Sequence, residues 1–157
     1  MGIALFCEKQ AKKGGITTLA KFSNIYDQLK IEIQELGEAL YSDNIIELEG
    51  VKGSLTRSFF HRLEGHHYGI VLPVFVYSLH SNEKVIALFK KIIQLAHKRS
   101  NQIRFKLKPG QLLVIDNFRV MHGRTKFNLS DERILYRFCF KMPMHEKFLN
   151  SNVVECK

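Results

Sequence analysis

Residues 133–141 constrain the fold more than any other stretch of this chain. Arg133-Ile-Leu-Tyr-Arg-Phe-Cys-Phe-Lys141 alternates almost without fault. Side chains of an extended strand point to opposite faces with period two. Ile134, Tyr136, Phe138 and Phe140 therefore fall on one face, and Arg133, Leu135, Arg137 and Cys139 on the other. A helix would mix the two sets; a strand keeps them apart. The chain must hold a sheet, and the residues just upstream supply more of it.

Pro109-Gly110 makes a turn. Residues 112–115 are a short apolar run of strand type. Asp116-Asn117 breaks it, and residues 118–122 read as a second strand, with Phe118, Val120 and His122 on one face. One histidine and two arginines, Arg133 and Arg137, then face a common space across neighbouring strands. A neutral imidazole is a good iron ligand, and a guanidinium is the preferred fork for a carboxylate. One histidine for metal and one arginine for the far carboxylate of a 2-oxo acid would fit a non-haem iron oxygenase. The plainer alternative is that Arg133, Arg137 and Lys141 are the wet face of an amphipathic strand. Spacing alone favours the plainer alternative.

Ile115-Asp-Asn-Phe-Arg-Val-Met-His-Gly-Arg-Thr-Lys-Phe127, followed by Glu132-Arg-Ile-Leu-Tyr-Arg137, resembles the C-terminal motif of the TauD/TfdA family. These are Fe(II)- and 2-oxoglutarate-dependent dioxygenases, and the likeness is to the clavaminate synthase-like branch, which acts on amino acids and their derivatives. Two parts carry it: DN-x-R-x-x-HGRT-x-F, and an R-x-x-x-R block starting 11 residues after the histidine. The resemblance implies that His122 is the distal iron ligand and that Arg133 grips the distal carboxylate of 2-oxoglutarate. Arg137 resembles a second arginine facing substrate or co-substrate. Leu5-Phe-Cys-Glu-Lys9 with Gly14-Gly-Ile-Thr-Thr-Leu-Ala20 resembles the same family. There, a threonine after paired glycines hydrogen-bonds the carboxylate that the arginine holds. Thr17 matches by its spacing from the glycines, Thr18 if the following leucine is the anchor; Thr17 is preferred. The implied cofactor is Fe(II), with 2-oxoglutarate as co-substrate, decarboxylated to succinate as a C–H bond is hydroxylated. The implied fold is mainly β with flanking helices, a double-stranded β-helix or jelly roll.

Around these blocks the pattern is mixed. Residues 3–8 read as a strand, and Gly14-Gly15 permits a turn with φ > 0. Ser23 is a candidate N-cap for a helix with Ile25, Leu29, Ile33, Leu36 and Leu40 on one stripe. Residues 41–68 read as loops and short strands. His61, His66 and His67 lie there and read as surface or loop histidines, because adjacent strand residues face opposite ways and rarely share an ion. Ser81 or Asn82 caps a helix whose buried stripe is Val85, Leu88, Phe89, Ile92, Leu95 and Ala96.

The family's iron site needs two histidines and a carboxylate, the first two as His-x-Asp or His-x-Glu. None of His61, His66, His67, His80, His97, His122 or His145 has an acid two positions on. Thr17 has only 16 residues before it. The expectation is a single TauD/TfdA-like domain over residues 1–157 that lacks its N-terminal part and two iron ligands, with an incomplete jelly roll and residues 143–157 as a disordered tail. A truncated gene, a wrong start, a split gene and a pseudoenzyme all fit. Lost strands would leave unpaired sheet edges, which invite self-association.

Two other functions fit the residues. One is a non-catalytic module of the same fold, holding a small anion with Arg133, Arg137 and Thr17. The other is a basic nucleic-acid-binding protein, since net charge is +9 and the pI near 9.6. The basic residues are spread along the chain, densest at Lys98, Arg99, Arg104, Lys106 and Lys108, with no nucleic-acid fold signature. The expected partner is a small molecule such as an amino acid, not nucleic acid or a membrane. Cys7, Cys139 and Cys156 are scattered and form no CxxC, which argues against a disulfide framework or zinc site and for a reducing cytoplasm.

Overall fold

The computed structural model describes residues 2–41, 46–50, 53–57, 60–62, 68–70, 78–128, 130–141 and 153–155. Strands predominate among them. In chain order they run β1 (Gly2–Lys9), β2 (Thr17–Lys21), α1 (Phe22–Gln28), α2 (Lys30–Leu36), β3 (Ile46–Gly50), β4 (Gly53–Arg57), β5 (Phe60–Arg62), β6 (Tyr68–Ile70), β7 (Ser78–His80), α3 (Glu83–His97), β8 (Ile103–Phe105), β9 (Leu112–Asp116), β10 (Val120–Arg124), β11 (Ile134–Phe140) and β12 (Val153–Glu155).

Two antiparallel sheets position the site. The first has the order β12-β11-β1-β9 and the second β10-β2-β8. In the first, β1 is central, pairing Ile3 with both Cys139 and Ile115, and Leu5 with both Arg137 and Leu113. In the second, His122 pairs with Leu19, and Arg124 with Thr17. A small core of Ile3, Ile115 and Cys139 joins the sheets, packed by Leu5, Leu113 and, from the second sheet, Leu19. The other face of the second sheet gives Ala20 and Met121 to a larger core with Phe22, Ile25, Leu29, Ile33, Leu40, Phe60, Val85, Leu88 and Ile92. The helices thus cover one sheet from outside, while His122, half-buried, and Arg137, exposed, lie on the facing sides of the two sheets.

The helical stripes form as their periodicity predicts. Asn82 caps α3, its Oδ1 accepting from the Val85 N–H at 2.9 Å. Ser23 is not a cap: it lies one residue inside α1, Lys21 holds the N-cap position without a side-chain bond, and Leu29 (φ −121°, ψ 18°) divides the stripe into two helices. Residues 118–122 also differ from expectation. Asp116 Oδ1 accepts from the Phe118 N–H at 3.0 Å, an Asx turn that keeps Phe118 out of the strand, and β10 runs on to Arg124. His61 is half-buried on β5, its ring 4.9 Å from that of Phe118, rather than on a surface loop. His66 and His67 lie outside the described residues. Val153–Glu155 pairs with β11, and the other residues of 143–157 lie outside those described. Cys7 is a free, buried thiol, whereas Cys139 is disulfide-bonded, a departure from the expectation of unpaired cysteines.

The alternation of β11 is real but inverted. Tyr136 is 49% and Phe138 39% exposed, beside Val114 (53%), Leu112 (58%) and Phe6 (36%) on the same outer face. Cys139 is buried and Arg133 half-buried on the inner face. Arg133 and Arg137 lie on the face turned toward the second sheet, Arg133 half-buried there and Arg137 exposed.

Candidate active site

The two blocks singled out in the sequence interlock. Ile16 N–H donates to Thr125 Oγ1 at 3.0 Å, and Thr125 N–H donates to the Ile16 carbonyl at 2.9 Å. Lys13 N–H donates to Asp131 Oδ2 at 3.2 Å. Gly14 (φ +72°) bridges to Phe127, and a Cβ there would overlap the Lys126 carbonyl oxygen. Gly15 (φ +65°) lies against Arg133: a Cβ would sit 3.2 Å from its Nε and 2.9 Å from Gln10 Oε1. Paired glycines are needed here both for positive φ and because the backbone passes against a side chain.

This turn sets the face of β2. Thr17 is 3% exposed and pairs with Arg124, while Thr18 pairs with Gly123 on the opposite face. Thr17, His122 and Arg124 therefore share the side that looks toward the first sheet, and Thr18 does not. Arg137 reaches the same space from β11, on the face of Leu5 and Cys139. His122 is half-buried, and burial first, then the Arg137 guanidinium, pushes its pKa below the ordinary 6.5. It is thus neutral near pH 7, the form that binds a metal.

Arg133 stands at the mouth of this space. Burial, then the neighbouring Arg124 charge, presses its pKa down. Its Nε donates to Gln10 Oε1 at 2.9 Å. Two guanidinium groups lie over the Phe127 ring, that of Arg124 at 4.6 Å and that of Arg133 at 5.7 Å from its centroid. Arg124 and Gln10 were not singled out in the sequence. Arg124 had a signal, since it continues the His122 face by two residues; Gln10 had none. Among the described residues no carboxylate pairs with Arg124, Arg133 or Arg137: the ion pairs there are Lys9–Glu132, Lys91–Glu32 and Arg119–Asp116. Arg133 is half-buried and Arg124 and Arg137 are exposed; a half-buried guanidinium without a counter-charge is suited to an anion from outside.

Metal ligation is a different matter. Among the described residues no group of three His, Cys, Asp or Glu could hold an ion. His122 is a suitable single donor, but the described residues do not compose an iron site.

The described strands form antiparallel sheets, two of which bring a histidine and three arginines to their facing sides. The particular family follows from comparison: the chain matches the taurine catabolism dioxygenase TauD, TfdA family over residues 1–139, and it belongs to that family. It is similar to gamma-butyrobetaine dioxygenase of Homo sapiens, at 24% identity covering 82% of this chain and 36% of that enzyme. The protein of Pongo abelii with that name matches equally. The chain thus spans about a third of the length of these relatives. Among solved structures it is similar in fold to asparagine oxygenase in complex with Fe(II), 2S,3S-3-hydroxyasparagine and succinate (TM-score 0.63, 17% identity, 87% of this chain and 44% of that one). A taurine dioxygenase from Burkholderia xenovorans is also similar (TM-score 0.61, 18% identity, 99% of this chain and 58% of that one).

Proposed function

We propose that this chain carries the 2-oxoglutarate-binding part of an Fe(II)/2-oxoglutarate dioxygenase that hydroxylates a small substrate such as an amino acid or derivative. The supporting observation is the half-buried Arg133 between Gly15 and Phe127, without a carboxylate partner among the described residues, beside the inward face of Thr17 and His122. In this reading Arg133 takes the distal carboxylate of 2-oxoglutarate, Thr17 adds a hydroxyl donor, and Arg137 faces substrate or co-substrate. His122 offers one metal donor; the bound co-substrate supplies the reducing equivalents for oxygen activation. The two facing sheets are read as part of a double-stranded β-helix.

The second reading is a non-catalytic anion-binding module of the same fold. It is favoured by the lack of a three-ligand cluster among the described residues. Calorimetry with 2-oxoglutarate, with and without Fe(II), followed by a succinate assay on the 157-residue chain, separates the two. Metal-free and His122→Ala controls set the background. Binding without turnover, and turnover once an in-frame upstream segment is added, supports a fragment of a working enzyme. Binding with no turnover in either form supports the module. No binding at all refutes both, and salt-dependent DNA binding would then favour the basic nucleic-acid-binding alternative. Among the described residues no helix is long and apolar enough to cross a membrane.

A further inference from the structure

We propose that Gln10 is a positioning residue for the anion site. It holds the Nε edge of Arg133 and leaves Nη1 and Nη2 as the fork that receives a carboxylate end-on. The inference rests on the reading of Arg133 as a dicarboxylate anchor.

The amide of Gln10 is fixed at both ends. Its Oε1 accepts from Arg133 Nε at 2.9 Å and from the Ala11 backbone N–H at 3.1 Å. Its Nε2 donates to the Leu107 carbonyl at 2.8 Å. Turning the amide over would set an NH2 group against two donors and an oxygen against a carbonyl. Partners with no alternative role therefore force the orientation. They are also held in place: Leu107 and Ala11 are buried, and Gly110 N–H and Cys7 N–H tie the adjacent turn to β1 through Cys7 O (2.8 Å) and Gln111 O (2.9 Å). Gly15 closes on the same bond, its bare Cα leaving room for Oε1 and Nε to meet.

A carboxylate has two ways to engage a guanidinium: side-on across Nε and one Nη, or end-on across both Nη atoms. Side-on approach to Arg133 would have to break the Nε bond to Gln10, whose amide is held in place by its two other hydrogen bonds. End-on approach displaces nothing, and it meets a group already oriented, so less freedom is lost on binding.

The test uses the full chain with 15N-labelled arginine. The Arg133 Nε–H of the unliganded wild type is expected to exchange with water at least about tenfold more slowly than in Gln10→Leu, both folded by circular dichroism. Affinity for 2-oxoglutarate, by calorimetry, is expected to fall about tenfold in Gln10→Leu. Gln10→Glu guards against a misfolded leucine variant. It keeps an acceptor at Nε but adds a negative charge, so protection should persist while 2-oxoglutarate affinity falls. Equal exchange in wild type and Gln10→Leu, or undiminished affinity in Gln10→Glu, overturns the proposal. If 2-oxoglutarate does not bind the wild type, the anchor reading of Arg133 fails; the exchange comparison still decides whether Gln10 holds the Nε edge.

Discussion

Replacing Arg133 by lysine keeps one positive charge and removes the fork. In the structure the arginine spends Nε on Gln10, at 2.9 Å, and lies 5.7 Å from the Phe127 ring centroid. Lysine cannot satisfy both Gln10 and a carboxylate with the same geometry. Gln10 Oε1 would not be orphaned, since the Ala11 N–H still donates to it at 3.1 Å. The stability cost should therefore be that of one net hydrogen bond, about 1 kcal/mol. Binding loses more. A bidentate pair becomes a single contact, at about 1–3 kcal/mol for a charge-assisted bond, or roughly 5- to 150-fold in affinity. Calorimetric titration of 2-oxoglutarate into wild type and Arg133→Lys measures this directly, with thermal melts reporting any loss of fold. Unchanged affinity in a folded Arg133→Lys chain would remove Arg133 from the role of anchor and leave Arg124 and Arg137 to be tried in its place.

Gly14→Ala should lower stability by at least about 1–3 kcal/mol in urea titrations, from backbone conformation alone, because φ is +72° and the new methyl group meets the Lys126 carbonyl. His122 should make stability depend on pH. Its folded pKa lies below the ordinary 6.5, so the unfolded chain takes up the proton first; the stabilising contribution is complete above about pH 6.5 and is lost as pH falls through the folded value. His122→Gln should flatten that slope, and Arg137→Gln should raise the His122 midpoint toward 6.5 in an NMR titration; no movement would mean that Arg137 does not act on the imidazole. Self-association through the edge strand β9, whose Leu112 and Val114 are exposed, should appear as concentration-dependent sedimentation and diminish in Val114→Lys; a monomer at all concentrations would refute it.

Much of this arrangement could be read from the chain, for local reasons. The alternation of β11 and the stripe of α3 follow from backbone period alone. Gly14 and Gly15 were legible because a glycine pair has few uses other than positive φ or close approach. The residues that were missed depend on distant partners. Gln10 meets Arg133 across 123 positions, and nothing in Lys9-Gln-Ala11 marks it. Arg124 was missed because β10 starts and ends two residues later than expected, once Asp116 captures the Phe118 N–H. The Ser23 cap failed for a related reason. The chain enters α1 directly from β2, and Phe22 N–H is already bonded to the Arg119 carbonyl at 2.9 Å. A backbone bond from the first residue of α1 to the turn before β10 overrode a local side-chain preference.

The inverted face of β11 links the fold to its chemistry. Ordinary packing would place Tyr136 and Phe138 inside and the arginines in water. Here the space between the sheets instead holds Thr17 and His122, with Arg137 on its open side and Arg124 and Arg133 at its mouth. Burial and then Arg124 press down the pKa of Arg133, and burial and then Arg137 that of His122. Both effects mean that the groups repel one another or resist protonation, and no carboxylate among the described residues offsets them. Like charges gathered around a half-buried guanidinium weaken a fold unless something compensates for them. The fixed partners found there, the Gln10 amide and the Phe127 ring, hold the guanidinium groups in place but carry no negative charge. Under the proposed function, the distal carboxylate of 2-oxoglutarate at Arg133 would supply negative charge to this cluster. Residues that break the packing rule on both faces of one strand are expected where binding, rather than stability, sets the sequence.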